Sequence, residues 1–109
     1  MAPGFQRRAK EATVRTMIRV TVPVEAGNAG VKNGALPRVI GDALTRLKPE
    51  AAYFTADGGN RTGYFVIDLK DQSDLPQIAE PFFQELNAKV EFMPVMNADD
   101  LKKGLSQLK

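Results

Sequence analysis

The chain has 109 residues, enough for one domain with one core, and its apolar (43%) and charged (26%) fractions are ordinary for a globular protein. It contains neither cysteine nor histidine, which excludes disulfides, thiolate metal sites, and Ser-His-Asp or Cys-His catalysis. The net charge of +2 is uneven: Arg7, Arg8, Lys10 and Arg15 against Glu11 give the first 16 residues +3, and the remainder is −1.

Residues 1–16 show no sustained apolar stripe and no secretory leader pattern. They are read as a basic, flexible arm. Met17 opens a strand directly and is taken as the natural start of a domain over 17–109. With the basic charge confined to the arm, a nucleic-acid-binding body is not expected. No apolar run reaches the ~20 residues of a membrane span, and the absence of cysteine suits a reducing, cytoplasmic setting.

In "MIRVTVPVE", Ile18, Val20, Val22 and Val24 alternate with Arg19, Thr21 and Pro23, the pattern of a half-buried strand. Pro23 belongs at its end or at a bulge. In "GNAGVKNG", Gly27, Gly30 and Gly34 predict an irregular connection, because glycine disfavours helix. Its spacing matches no phosphate-binding loop. Were that connection to close over a site, Asn28, Lys32 and Asn33 could reach a ligand. A helix then runs from near Ala35 to Leu47, with Leu36, Val39, Ile40, Ala43 and Leu44 at helical spacing, and Lys48-Pro49 ends it.

Ala51–Ala56 and Arg61–Leu69 read as two strands joined by a tight turn at Asp57-Gly58-Gly59-Asn60, whose residues tolerate positive φ. Arg61 is expected to be a solvated residue at the strand start. Ser73 or Asp74 caps a helix with the stripe Leu75, Ile78, Ala79, Phe82, Phe83 and Leu86, with a kink expected at Pro81. A fourth strand follows in "AKVEFMPVM". Asn97 then caps a last helix whose stripe is Leu101, Leu105 and Leu108.

The order strand, helix, strand, strand, helix, strand is the ferredoxin-like βαββαβ pattern: an α+β antiparallel sheet with helices on one face, plus an extra C-terminal helix. The apolar strand sets point toward the helices. The opposite face collects Arg19, Tyr53, Tyr64, Asp68 and Glu91 with Thr21, Val66 and Met93. Those five residues are the candidate ligand-binding set, for a small polar or anionic molecule. An RNA-recognition domain shares the strand–helix order, but Tyr64 and Phe65 are adjacent and so face opposite ways, and Met17–Val24 has no aromatic to stack a base.

The segments "LKPEAAYF", "GNRTGYFVID", "IAEP" and "EFMPVMNADDL" resemble those of a family of short, largely uncharacterised bacterial proteins, and the whole is similar to the dimeric α+β-barrel superfamily. The resemblance implies a homodimer through the free sheet face, enclosing a cavity. It implies no activity: the histidine and tryptophan patterns of the monooxygenases in that superfamily have no counterpart here. A binding or structural homodimer is one reading. The alternative is a cofactor-independent isomerase or monooxygenase using Asp42, Asp57, Asp68 or Glu91 with a tyrosine as proton donor. No cofactor and no metal site are implied.

Overall fold

The computed structural model describes residues 13–108; the first twelve residues of the expected arm lie outside it. Strand β1 (Val14–Val22) begins three residues before Met17. It is followed by α1 (Val24–Asn33), α2 (Ala35–Leu47), β2 (Ala51–Asp57), β3 (Asn60–Leu69), a 3-10 turn (Gln72–Asp74), α3 (Leu75–Leu86), β4 (Lys89–Pro94) and α4 (Ala98–Ser106).

The four strands form one antiparallel sheet in the order β2-β3-β1-β4. Alternation along each strand sorts the side chains. Thr16, Ile18, Val20 and Val22 of β1 and Phe65 and Ile67 of β3 are buried beneath the helices. Val39 and Ala43 of α2 and Ile78, Phe82 and Leu86 of α3 close that core. Packing is aromatic at its centre: the Phe65 ring lies 5.7 Å from Phe54, edge-on, and 6.1 Å from Phe82.

The ferredoxin-like arrangement is therefore present, but the expected barrel is not. The sheet is open, with β2 and β4 as its two edges. Closure requires a sheet whose first and last strands pair, and here the right-handed crossovers place those two at opposite sides. The dimeric α+β-barrel assignment is corrected accordingly.

The glycine-rich segment also departs from expectation. It is a ten-residue helix, α1, and only Gly34 (φ 82°) interrupts the helical region. Gly27 and Gly30 stay helical because each is a point of close approach. A Cβ on Gly27 would sit 2.4 Å from Arg61 Nη1, and one on Gly30 would sit 3.2 Å from Leu86 Cδ2. The helix penalty of glycine is offset by tertiary packing that larger residues would block.

Pro23 directly follows β1 and caps α1. The turn is as predicted, with Gly58 and Gly59 both at positive φ between paired Asp57 and Asn60. Pro81 lies inside an uninterrupted α3. Its missing N–H frees the Gln77 carbonyl, which instead accepts from Arg46 Nη1 at 3.2 Å. Asn97 caps α4 in a reciprocal pair with Asp100. No residue of α4 is buried. Of the expected leucine stripe, Leu101 and Leu105 lie on α4 and are exposed, and Leu108 falls beyond its end.

Candidate functional site

On the free sheet face, register aligns four of the five candidate residues in one row. Tyr53 is opposite Tyr64, Tyr64 opposite Arg19, and Arg19 opposite Glu91. Arg19 Nε and Nη2 donate to Glu91 Oε1 and Oε2 at 2.8 and 3.0 Å, a bidentate pair. Tyr64 donates its hydroxyl proton to Asp57 Oδ2 at 2.8 Å. Tyr53 is 71% exposed. Asp68 stands apart, opposite Arg15, four residues along β1.

The charges of Arg19 and Glu91 are thus answered within the chain. Glu91, with a lesser contribution from Tyr64, holds the Arg19 proton more firmly than usual, and the same bond to Arg19 holds the Glu91 carboxyl below the ordinary carboxylate range. An anion arriving at Arg19 has to displace Glu91. Arg15 similarly bonds Glu50 at 2.8 Å and reaches Asp100 at 3.4 Å.

Three carboxyls are held low: Asp71 by the Ser73 backbone N–H, Glu85 by Arg38, and Glu91 by Arg19. Each is more acidic folded than unfolded. Its stabilising contribution is complete above the unfolded value and fades as pH falls through the lower folded one. With no histidine in the chain, urea midpoints are expected to stay flat from about pH 8 to about pH 5 and to drop below about pH 4.5. A midpoint that changes near pH 6.5, where histidine ordinarily titrates, contradicts this.

The deeper concavity lies on the other side of the sheet. A cleft of about 380 Å³ opens between the helix-side face of β1, β3 and β2 and the flanks of α2 and α3. Val20, Val22, Leu36, Ile40, Phe54, Phe65, Phe82 and Leu86 supply most of its wall, and among the described residues Arg61 is the single charged one lining it. A second hollow, near the C-terminal end of α2, is larger at about 610 Å³, but Arg46, Lys48, Glu50, Asp68, Lys70 and Asp74 line it with mixed charge.

Local sequence explains the apolar cleft. Gly63 interrupts the buried side of β3, and a Cβ there would meet the Phe54 ring at 3.1 Å and Phe65 at 3.2 Å. With no side chain at 63, the wall recedes between Val20 and Phe54, its cross-strand partners. Arg61 is in phase with Gly63, Phe65 and Ile67, so it projects toward the helices. Its guanidinium and Cδ lie over Gly27, with Nη1 nearest, and its Nη2 donates to Asn28 Oδ1 at 3.2 Å. It is half-buried, not the solvated strand-start residue expected. Among the described residues no carboxylate forms an ion pair with Arg61.

Of the residues considered for a closing loop, Asn28 does reach the cleft rim through Arg61. Lys32 and Asn33 are exposed, and Asn33 spends its side chain on the Ala35 N–H at 2.8 Å. Arg61 and the cleft were missed from sequence, although two signals were there: an arginine in phase with core residues, and a glycine in a strand interior.

These features define a small α+β domain with a cleft between its sheet and its helices. Comparison with protein-family models, curated proteins and solved structures finds no match to this chain. The resemblance to a family of short bacterial proteins is therefore not upheld, any more than the barrel it implied. Among the described residues no helix is long and apolar enough to cross a membrane.

Proposed function

We propose that the protein binds a small amphipathic molecule, its apolar body in the cleft and its anionic group at the mouth on Arg61. The observation that carries this is the joining of an apolar hollow of about 380 Å³ to one half-buried guanidinium that no described carboxylate neutralises. That volume lies within the range of small-molecule sites, which are mostly apolar with a few placed polar groups. Asn28 fixes one edge of the guanidinium and leaves other N–H groups for an anion. The proposed role is binding: among the described residues lining the cleft, Arg61 is the one charged group.

Decanoate and decanol, titrated calorimetrically, separate the two parts of the site. Decanoate is expected to bind more tightly than decanol. Arg61→Ala is expected to weaken decanoate about tenfold or more, the worth of a charge-assisted hydrogen bond, and to leave decanol unaffected. Equal decanoate affinity in the variant, or no binding of either probe at millimolar concentration, overturns the proposal. Gly27→Ala is an independent check: it pushes Arg61 aside without removing it, and should weaken decanoate while preserving the fold.

A further inference from the structure

The two edges of the sheet differ in kind. The β4 edge is blunted. Val95 N–H donates to Arg15 carbonyl at 3.0 Å, and alternation along the ladder then directs the backbone groups of residues 90, 92 and 94 outward. Residue 94 is proline, which has no N–H, and Lys89 and Glu91 flank the strand with charge.

The β2 edge has none of these devices. Ala51-Ala52-Tyr53-Phe54-Thr55-Ala56 carries no charge, no proline and no glycine. Asp57 and Asn60 close a two-residue turn and so form a hydrogen-bonded pair, which sends alternate residues back toward β3. The N–H and C=O groups of Ala52, Phe54 and Ala56 therefore point outward. Tyr53, on the free face, and Phe54, on the helix face, are 71% and 51% exposed. A bare, uncharged edge with large apolar side chains on both faces is a template for another strand.

We propose that the β2 edge docks a second copy of this chain, joining two sheets into one continuous antiparallel sheet about a two-fold axis at Phe54. Charge permits a copy of the same strand to be that occupant. An axis normal to the sheet keeps each face on its own side, so residues of like parity pair. Centred on Phe54, Tyr53 lies opposite Thr55, Ala52 opposite Ala56, Ala51 opposite Asp57 and Glu50 opposite Gly58. No charge faces a charge, although the same strand serves on both sides. Outward groups at Ala52, Phe54 and Ala56 supply about six interchain backbone hydrogen bonds. The two Phe54 side chains meet where each forms a wall of its own cleft, which places the two cleft mouths side by side across the axis. The inference does not depend on what the cleft binds.

The chain has no native cysteine, so single cysteines report the axis. Phe54→Cys puts two thiols on Cα atoms about 5.5 Å apart, inside the disulfide range. Under mild oxidation of the full-length chain it is expected to form a covalent dimer, whereas Leu105→Cys on α4 is not. Sedimentation velocity of the unmodified chain should show the dimer mass across the micromolar range. Ala56→Lys should weaken association about tenfold or more. A monomer at every concentration, equal cross-linking through Leu105→Cys, or association indifferent to Ala56→Lys overturns the proposal.

Discussion

Phe82→Ala is expected to lower folding stability by about 3–5 kcal/mol, and Phe83→Ala by less than about 1 kcal/mol. The two residues are neighbours of the same type on α3, and both fall within the apolar stripe read from sequence. A helix turns about 100° per residue, so they cannot both face the sheet. Phe82 is 1% exposed, stacks with Ile78 and Leu86 along the buried flank, and holds its ring 6.1 Å from Phe65. Truncating it removes a large apolar side chain from water exclusion and leaves a void that the aromatic cluster can only partly refill. Phe83 is 42% exposed and has little burial to lose. A domain of this size has about 5–15 kcal/mol in total, so the first change removes roughly a fifth of it or more. Urea unfolding measures both: the Phe82→Ala midpoint falls steeply, the Phe83→Ala midpoint barely moves, and the slopes stay alike. Equal midpoints would place the two rings in equivalent surroundings and contradict the orientation of α3.

A chain beginning at Met17 is expected to be about 2–4 kcal/mol less stable than one beginning at Thr13. The difference is Thr13 together with Val14, Arg15 and Thr16, of which the last three belong to β1 and pair with Leu69, Asp68 and Ile67. Thr16 is buried, and its hydroxyl donates to the Val14 carbonyl at 2.9 Å. The Arg15 carbonyl accepts the Val95 N–H. Removing the segment opens ladder hydrogen bonds on both sides of the central strand and uncovers Ile67 and Leu69 at the end of the core. The surface ion pairs of Arg15 add little to this, since exposed pairs are weak. Parallel urea titrations of the two truncated chains give the number, and coincident midpoints would mean that the first turn of the ladder contributes nothing.

That boundary also marks a limit of reading periodicity alone. "VRT" is short and mixed, and an arginine-bearing arm looks the same before and after a strand begins. What extends β1 backward is the length of β3, which reaches Leu69 and offers partners as far as Val14. The hairpin, α2 and α3 were legible because their signals are local: two glycines at a turn, apolar residues at intervals of three and four, and Lys48-Pro49 at a helix end. Helix α1 was not legible, because its glycines carry a local penalty and their benefit arises largely from Arg61 and Leu86, distant in sequence.

The five residues first singled out illustrate the same division. Strand parity put Arg19, Tyr53, Tyr64, Asp68 and Glu91 on one face, and they are on it. Parity does not fix register, so it could not show that Tyr53, Tyr64, Arg19 and Glu91 form one row while Asp68 lies with Arg15. By itself the amino-acid sequence determined the order of the four strands and of α2, α3 and α4, the two-sided character of each strand and the chemistry that is excluded by having no cysteine and no histidine, since these depend only on residue type and local spacing. Only the tertiary structure decided that the sheet stays open, that Glu91 answers Arg19, and that Arg61 turns inward over Gly27 beside an apolar cleft. Those outcomes depend on which strands become neighbours and how closely α1 approaches β3, and that is settled by contacts between residues far apart in the chain.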